Sequence, residues 1–283
     1  MSTSPISINK APVSLTPLDA RSRKLRHMIV KAVQAGNRGH LGSAFSLVEM
    51  LRVLYDDVLK YDPGNPRWTG RDRCILSKGH GCLALYALLA DKGFFQESEL
   101  LQFCKAEGIL GGHPEYGKVP GVEASTGSLG HGLSIGIGMA LNARFEKASH
   151  RIFVVISDGE SNEGSVWEAA LCASKHKLEQ LVVLVDYNKQ QSYATTYEVL
   201  DLEPLMDKWR AFGFGVKEVD GHSVSELRQA VSKTPFETGK PSILICHTIK
   251  GKGVSFMENN LRWHHKTKLT QDEARLLLAE LEF

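Results

Sequence analysis

The sequence predicts an α/β protein with three layers, α/β/α, built on a mostly parallel sheet. Ile152–Ile156 (IFVVI) and Leu181–Val185 (LVVLV) are apolar at every position, as strands covered on both faces must be. Helical patterns separate these runs and follow them. Asp158 and Asn188, each just past one of these runs, lie 30 positions apart, the length of one strand–helix–strand crossover.

The elements follow in order. Residues 1–16 are polar and aperiodic and are expected to form a flexible or partner-covering arm; residues 17–283 then form one domain. A helix is expected from Leu18 to Gln34, stopped by Ala35-Gly36-Asn37. Ser46 should open a second helix through Leu59, ending before Asp62-Pro63-Gly64. Arg73–Leu76 reads as a strand entering the turn Ser77-Lys78-Gly79-His80, with a helix over Leu83–Asp91. Five glycines between Gly127 and Gly138 crowd a stretch that should include a buried helix. Each glycine inside a helix costs about 1 kcal/mol relative to alanine, so close packing must offset it. Internal helix–sheet packing is expected at Gly136 and Gly138, and cofactor approach at Gly127. Helices follow at Val166–His176, Leu202–Phe212 and Val224–Val231, strands at Gly215–Val219 and Ile243–Cys246, and Thr270 caps a last helix, Gln271–Leu281.

Bulk properties exclude several classes. Lys and Arg number 34 against 32 Asp and Glu, which gives no reason to expect a nucleic-acid or membrane-surface protein. The apolar runs are far shorter than the roughly 20 residues of a membrane span. Five cysteines without a C-x-x-C pair read as reduced, buried thiols, and a cytoplasmic location is expected.

The chemistry concentrates at the strand ends. The first apolar strand runs into SDGESNEG (157–164) and the second into DYNK (186–189). In open α/β sheets, ligands bind at the carboxyl edge. Asp158 and Asn188 offer oxygens suited to a hard cation, Mg²⁺ or alternatively Ca²⁺ or Mn²⁺, with phosphate and water completing the shell. Gly159 permits close approach of a phosphate, and a helix starting near Gly164 should aim its N-terminus at the same place.

On these residues the chain resembles the N-terminal half of transketolase. Asp158-Gly159 followed by Asn188 is similar to the thiamine-diphosphate signature, with Ser157 in place of its first glycine. GNRGHLGSAFS (36–46), LSKGH (76–80), GGHPE (111–115) and ASTGSLGHGLSIGIGMA (124–140) occur in the family's order. The resemblance covers roughly residues 17–283 and implies a thiamine-diphosphate-binding fold. It implies a cation held by Asp158, Asn188 and the Gln190 carbonyl, and a cofactor lying against Gly159 and the turn Gly127, Ser128, Leu129. It places His80 near the diphosphate, and His40, His113 and His264 near sugar hydroxyls and proton transfers; in LRWHHKT, His265 is the alternative to His264. Glu163 resembles the carboxylate that couples paired sites across the subunit interface. Gln191-Ser192-Tyr193-Ala194 departs from the family, which has an Asp-Gly pair there.

The family's pyrimidine-binding part has no counterpart in these 283 residues. The resemblance therefore implies one half of a split transketolase, completed by a C-terminal subunit in an α2β2 assembly. The implied activity is transfer of a two-carbon ketol unit from a ketose or its phosphate to an aldose or its phosphate. The alternatives are a 1-deoxyxylulose-phosphate synthase-like chain, a non-catalytic or regulatory cofactor-binding protein, and an E1-like subunit.

Overall fold

The computed structural model describes residues 16–263, 266 and 268–282. Asp19 starts the first helix, α1 (Ala20–Gly36), by accepting the Ser22 amide at 2.9 Å, one of the N–H groups a helix start leaves without a partner. The helix ends at Asn37, which is left-handed at φ 49.

The single helix expected from Ser46 is instead divided: α2 (Leu41–Phe45) precedes it, α3 (Val48–Val53) follows, and a π-helical turn over Leu54–Val58 completes the run. Ser46 and Glu49 have the spacing of a capping box. Both side chains are engaged elsewhere. Ser46 donates to Asp186 at 2.6 Å, and Glu49 accepts from Arg26. Tertiary partners thus override the local cap.

β1 (Arg73–Leu76) lies as expected and leads through a single 3-10 turn, Gly79–Gly81, into α4 (Cys82–Asp91). Residues Cys82–Ala90 of α4 are all buried, and it packs on α1, α2 and α3. α5 (Gly132–Phe145) carries the glycine-rich stretch. A methyl group on Gly136 would lie 2.5 Å from Val154 of the sheet, so the expected helix–sheet packing holds there. It does not hold at Gly138, where a methyl group would meet nothing within 4 Å beyond the chain neighbours and backbone of its own helix. Nor is α5 buried all round, because Ile135 and Phe145 stay exposed among the described residues.

β2 (Ile152–Ser157), α6 (Gly164–Lys175) and β3 (Leu181–Tyr187) form the crossover that the 30-residue spacing implied. A 3-10 turn over Gly159–Asn162 separates β2 from α6, so α6 does not begin directly at the strand end. α7 (Thr196–Leu200) is an unexpected short helix with a Thr195–Glu198 capping box. α8 (Leu205–Ala211) starts later than expected, with Pro204 in extended conformation at its N-cap. β4 (Gly215–Asp220), α9 (Val224–Val231), β5 (Ser242–His247) and α10 (Gln271–Leu281) finish the fold.

Among the described residues the sheet has five strands in the order β1-β2-β3-β5-β4, and every neighbouring pair is parallel. Its side chains alternate between two cores. Phe153, Val155, Val182 and Leu184 face α1, α3, α4, α9 and α10. Val154, Ile156, Val183 and Val185 face α5, α6 and α8. Three α/β/α layers result. No described helix is long and apolar enough to cross a membrane. Cys74, Cys82 and Cys246 are buried free thiols; Cys104 and Cys172, expected to be buried, are only partly so.

Candidate diphosphate and metal site

β2 and β3 pair in parallel with Ser157 opposite Asp186, so Asp158 and Asn188 leave the sheet side by side at its carboxyl edge. Asp158 is 1% exposed. Its Oδ1 accepts the Gly159 amide at 2.7 Å and its Oδ2 the Lys189 amide at 2.6 Å. Among the described residues no cationic side chain forms an ion pair with it. Burial, with the negative charge of Asp186 beside it, pushes the pKa of its carboxyl up to about 6, only partly offset by Lys250. A buried carboxylate with amide donors but no paired cation suits a divalent ion, which would supply the missing charge.

Asp186, at the neighbouring strand end, contrasts with it. Lys78 makes a salt bridge to it, and Ser46, Thr248 and the Asn188 side-chain amide also donate to it. Despite complete burial, Lys78 keeps the Asp186 carboxyl below its ordinary range. Asn188 thereby has its nitrogen fixed on Asp186 at 3.2 Å, while its oxygen accepts the Gln190 amide at 3.1 Å and retains a lone pair. The Gln190 carbonyl accepts the Lys250 ammonium at 3.4 Å. Burial and the nearby Lys78 charge push Lys250 down to about 8. Lys78 and Asp186 lie in the LSKGH and DYNK segments, but nothing in the sequence marks them as a pair, and Thr248 and Lys250 carry no signal that singles them out.

The motif turns converge around this edge. A methyl group on Gly79 would lie 2.9 Å from the backbone of Thr126 and Gly127, so the LSKGH turn packs directly on the Gly127–Leu129 turn. Gly127, at φ +146, has its Cα against the His113 ring, which would lie 2.8 Å from an added methyl. The His40 and His80 rings meet edge to face, with centroids 5.9 Å apart. His113 and Ser128 line a 580 Å³ cleft with Thr126 and His131. Glu160 draws three segments of this arrangement together: it accepts from the Ser77 hydroxyl, from the Gly130 amide at 2.8 Å and from the Ser157 amide at 3.2 Å. Leu129 is half-buried, and Glu163 is exposed at the start of α6, where its side chain lies against Gly130. His264 and His265 lie outside the described residues.

Where the family has an Asp-Gly pair, this chain makes a tight turn closed by the Gln191 amide on the Ala194 carbonyl at 2.9 Å. A bridge between Gln190 and Thr195 braces it. The Gln191 side chain lies over Gly159, 3.2 Å from where a methyl would sit.

A family model described as "Transketolase, thiamine diphosphate binding domain" matches residues 19–283. Among curated relatives, the 6-deoxy-6-sulfo-D-fructose transketolase subunit SqwG of Clostridium sp. (strain MSTE9) is 43% identical over 266 residues, 94% of this chain and 96% of the relative. An apulose-4-phosphate transketolase subunit of Phocaeicola vulgatus is 42% identical over 88% of both chains. Among solved structures, the transketolase of Leishmania mexicana superposes with a TM-score of 0.86 at 30% identity, covering 94% of this chain and 42% of that one. The chain thus spans nearly all of the subunit-type relatives and about two fifths of the solved transketolase chains.

Proposed function

Because this chain belongs to the transketolase family, whose thiamine-diphosphate-binding domain it matches over most of its length, we propose that it is the N-terminal subunit of a split transketolase. It works with a C-terminal subunit, which supplies the pyrimidine-binding half, in an α2β2 assembly in the cytoplasm. The reaction is transfer of a two-carbon ketol unit from a ketose or ketose phosphate to an aldose or aldose phosphate. The observation that carries this reading is the buried Asp158 carboxylate, without an ion-pair partner among the described residues, beside Asn188 at the carboxyl edge of the sheet.

Asp158, the Asn188 oxygen and the Gln190 carbonyl would hold Mg²⁺, with Ca²⁺ or Mn²⁺ as substitutes. Two side chains and a carbonyl leave positions for diphosphate oxygens and water. When bound, thiamine diphosphate supplies the nucleophilic carbon and the electron sink. The chain's own groups bind, orient and move protons. Gly159 and the Gly127, Ser128 and Leu129 turn offer backbone at close range. His80 faces the diphosphate. His40 and His113, with His264, serve the sugar hydroxyls and proton transfers, as imidazoles near neutral pH can. Glu163, exposed beside Gly130, meets its counterpart at the subunit interface.

The test is to purify the chain alone and together with its C-terminal subunit, then to assay ketol transfer with thiamine diphosphate and Mg²⁺. The pair is expected to turn over and the single chain to be inactive. Substantial turnover by the homogeneous single chain would overturn the split-subunit reading.

A further inference from the structure

Away from the clamp, the fold buries a second cluster of charge. Arg26 on α1, Glu49 on α3 and His222, just after β4, are each no more than 2% exposed. Arg26 donates to the two Glu49 oxygens at 2.6 and 2.9 Å, and to the carbonyls of Phe45 and Lys252 at 2.8 Å. His222 Nδ1 meets Glu49 at 2.8 Å, and His222 Nε2 accepts the Ile249 amide at 2.8 Å. An amide can only donate, so Nε2 carries the lone pair and Nδ1 the proton given to Glu49. The tautomer is therefore fixed by its two partners.

A buried ion cluster is weak evidence of stabilisation, since well-packed apolar residues often serve as well. What distinguishes this one is what it grips. Its two backbone contacts beyond the helices, the Ile249 amide and the Lys252 carbonyl, both lie in the segment that follows β5. That segment carries Thr248, which donates to Asp186, and Lys250, which donates to the Gln190 carbonyl. Ile249 sits between these two residues, so holding its amide sets the direction of both neighbours.

We propose that Arg26, Glu49 and His222 form a positioning triad that fixes the segment after β5, so that Thr248 and Lys250 meet the diphosphate and metal clamp in one geometry. None of the three enters the clamp. They act as supporting groups do around metal ligands, where removal commonly costs about 10- to 100-fold in affinity. The proposal rests on the diphosphate reading of the site.

Two substitutions at His222 separate positioning from bulk stability. His222→Asn can still donate to Glu49 but offers no acceptor where Nε2 was. His222→Gln carries an oxygen to that place. The probe is thiamine diphosphate with Mg²⁺, titrated by calorimetry into the chain purified with its C-terminal subunit, alongside hydrogen–deuterium exchange of residues 248–253. His222→Asn is expected to weaken binding at least about tenfold and to speed exchange in that segment. His222→Gln is expected to stay within about threefold of the parent, even where both variants melt at similarly reduced temperatures. If His222→Asn does not fold, Arg26→Lys serves. It keeps a positive charge against Glu49 but cannot also reach both the Phe45 and Lys252 carbonyls, and the same loss is expected. Binding unchanged within about twofold in the variant that folds would overturn the triad, as would equal losses in His222→Asn and His222→Gln that track melting temperature. A parent assembly that does not bind thiamine diphosphate would overturn the diphosphate reading, and the triad with it.

Discussion

The two faces of the sheet are finished differently. On one, α1, α3, α4, α9 and α10 close over the core; among the large apolar residues of these helices only Leu276 is exposed. Charges buried there are paired, as Arg26 and Glu49 are, with the neutral His222 ring also donating to Glu49. On the other face α5 and α6 pack together but leave Ile135, Phe145 (81% exposed) and Leu171 (59%) on the outside. The Glu163 side chain and the His113 cleft are exposed too. The closed face is complete within one chain and orients the segment after β5. On the proposed split-subunit reading, the open face is the one the C-terminal subunit would cover. At the sheet edge between them, Asp186 is neutralised by Lys78, whereas among the described residues Asp158 forms no ion pair.

The contrast is broken most severely on the closed face. Glu49→Ala leaves Arg26 buried without its carboxylate and should cost about 3–5 kcal/mol of stability. Burial opposes ionisation of Glu49, yet Arg26 holds its carboxyl far below the usual range. The Glu49 contribution is therefore present above the ordinary carboxylate pKa and lost as pH falls through the folded value. Denaturant melts at several pH values would read both effects. A loss under about 1 kcal/mol would mean that this face is not closed as described.

At the edge, Asp158→Ala should weaken metal-dependent cofactor binding by about 100-fold or more, roughly 2.7 kcal/mol, with little loss of fold. Calorimetric titration and a thermal melt of the same sample would show whether binding falls without stability. Next in size is a pH effect. On the proposed reading the cation is held by the Asp158 carboxylate, whose pKa is pushed up to about 6. Affinity should be level above that pH and fall about tenfold per unit below it, with proton release on binding near that value. Affinity independent of pH between about 5 and 7 would remove Asp158 from the ligands.

Much of this contrast is legible in the sequence, though unevenly. β2 and β3 are clear because a strand buried on both faces must be apolar at every position. The turns at Gly79, Gly127 and Gly159 are clear because tight turns and close backbone contact call for glycine. The neutralising network on Asp186 is not legible. Ser46 and Lys78 lie in different motif segments and Thr248 in none; they are far apart in sequence, and only the fold brings them together. The Ser46–Glu49 spacing even points to a helix start, because local patterns do not show that both side chains have distant partners. The Thr195–Glu198 box, by contrast, is a genuine local signal, and α7 follows it although no helix was expected there. The exposed side of α5 reads as buried, since small and apolar residues look the same whether they face this chain or another.

The smallest effect on folding belongs to the open face. Phe145→Ser should change the stability of the single chain by no more than about 0.5 kcal/mol, as is usual for exposed positions, yet weaken assembly with the C-terminal subunit. Equilibrium melts paired with sedimentation would distinguish these. A large loss of single-chain stability would mean that this face is already packed.

Titrating thiamine diphosphate with Mg²⁺ into the chain alone and into its complex with the C-terminal subunit tests the central claim most directly, that this chain is one half of a site. Binding should be at least about 100-fold tighter in the complex, because only there are both ends of the cofactor enclosed. A single chain that remains monomeric and binds the cofactor as tightly as the complex does would contradict it.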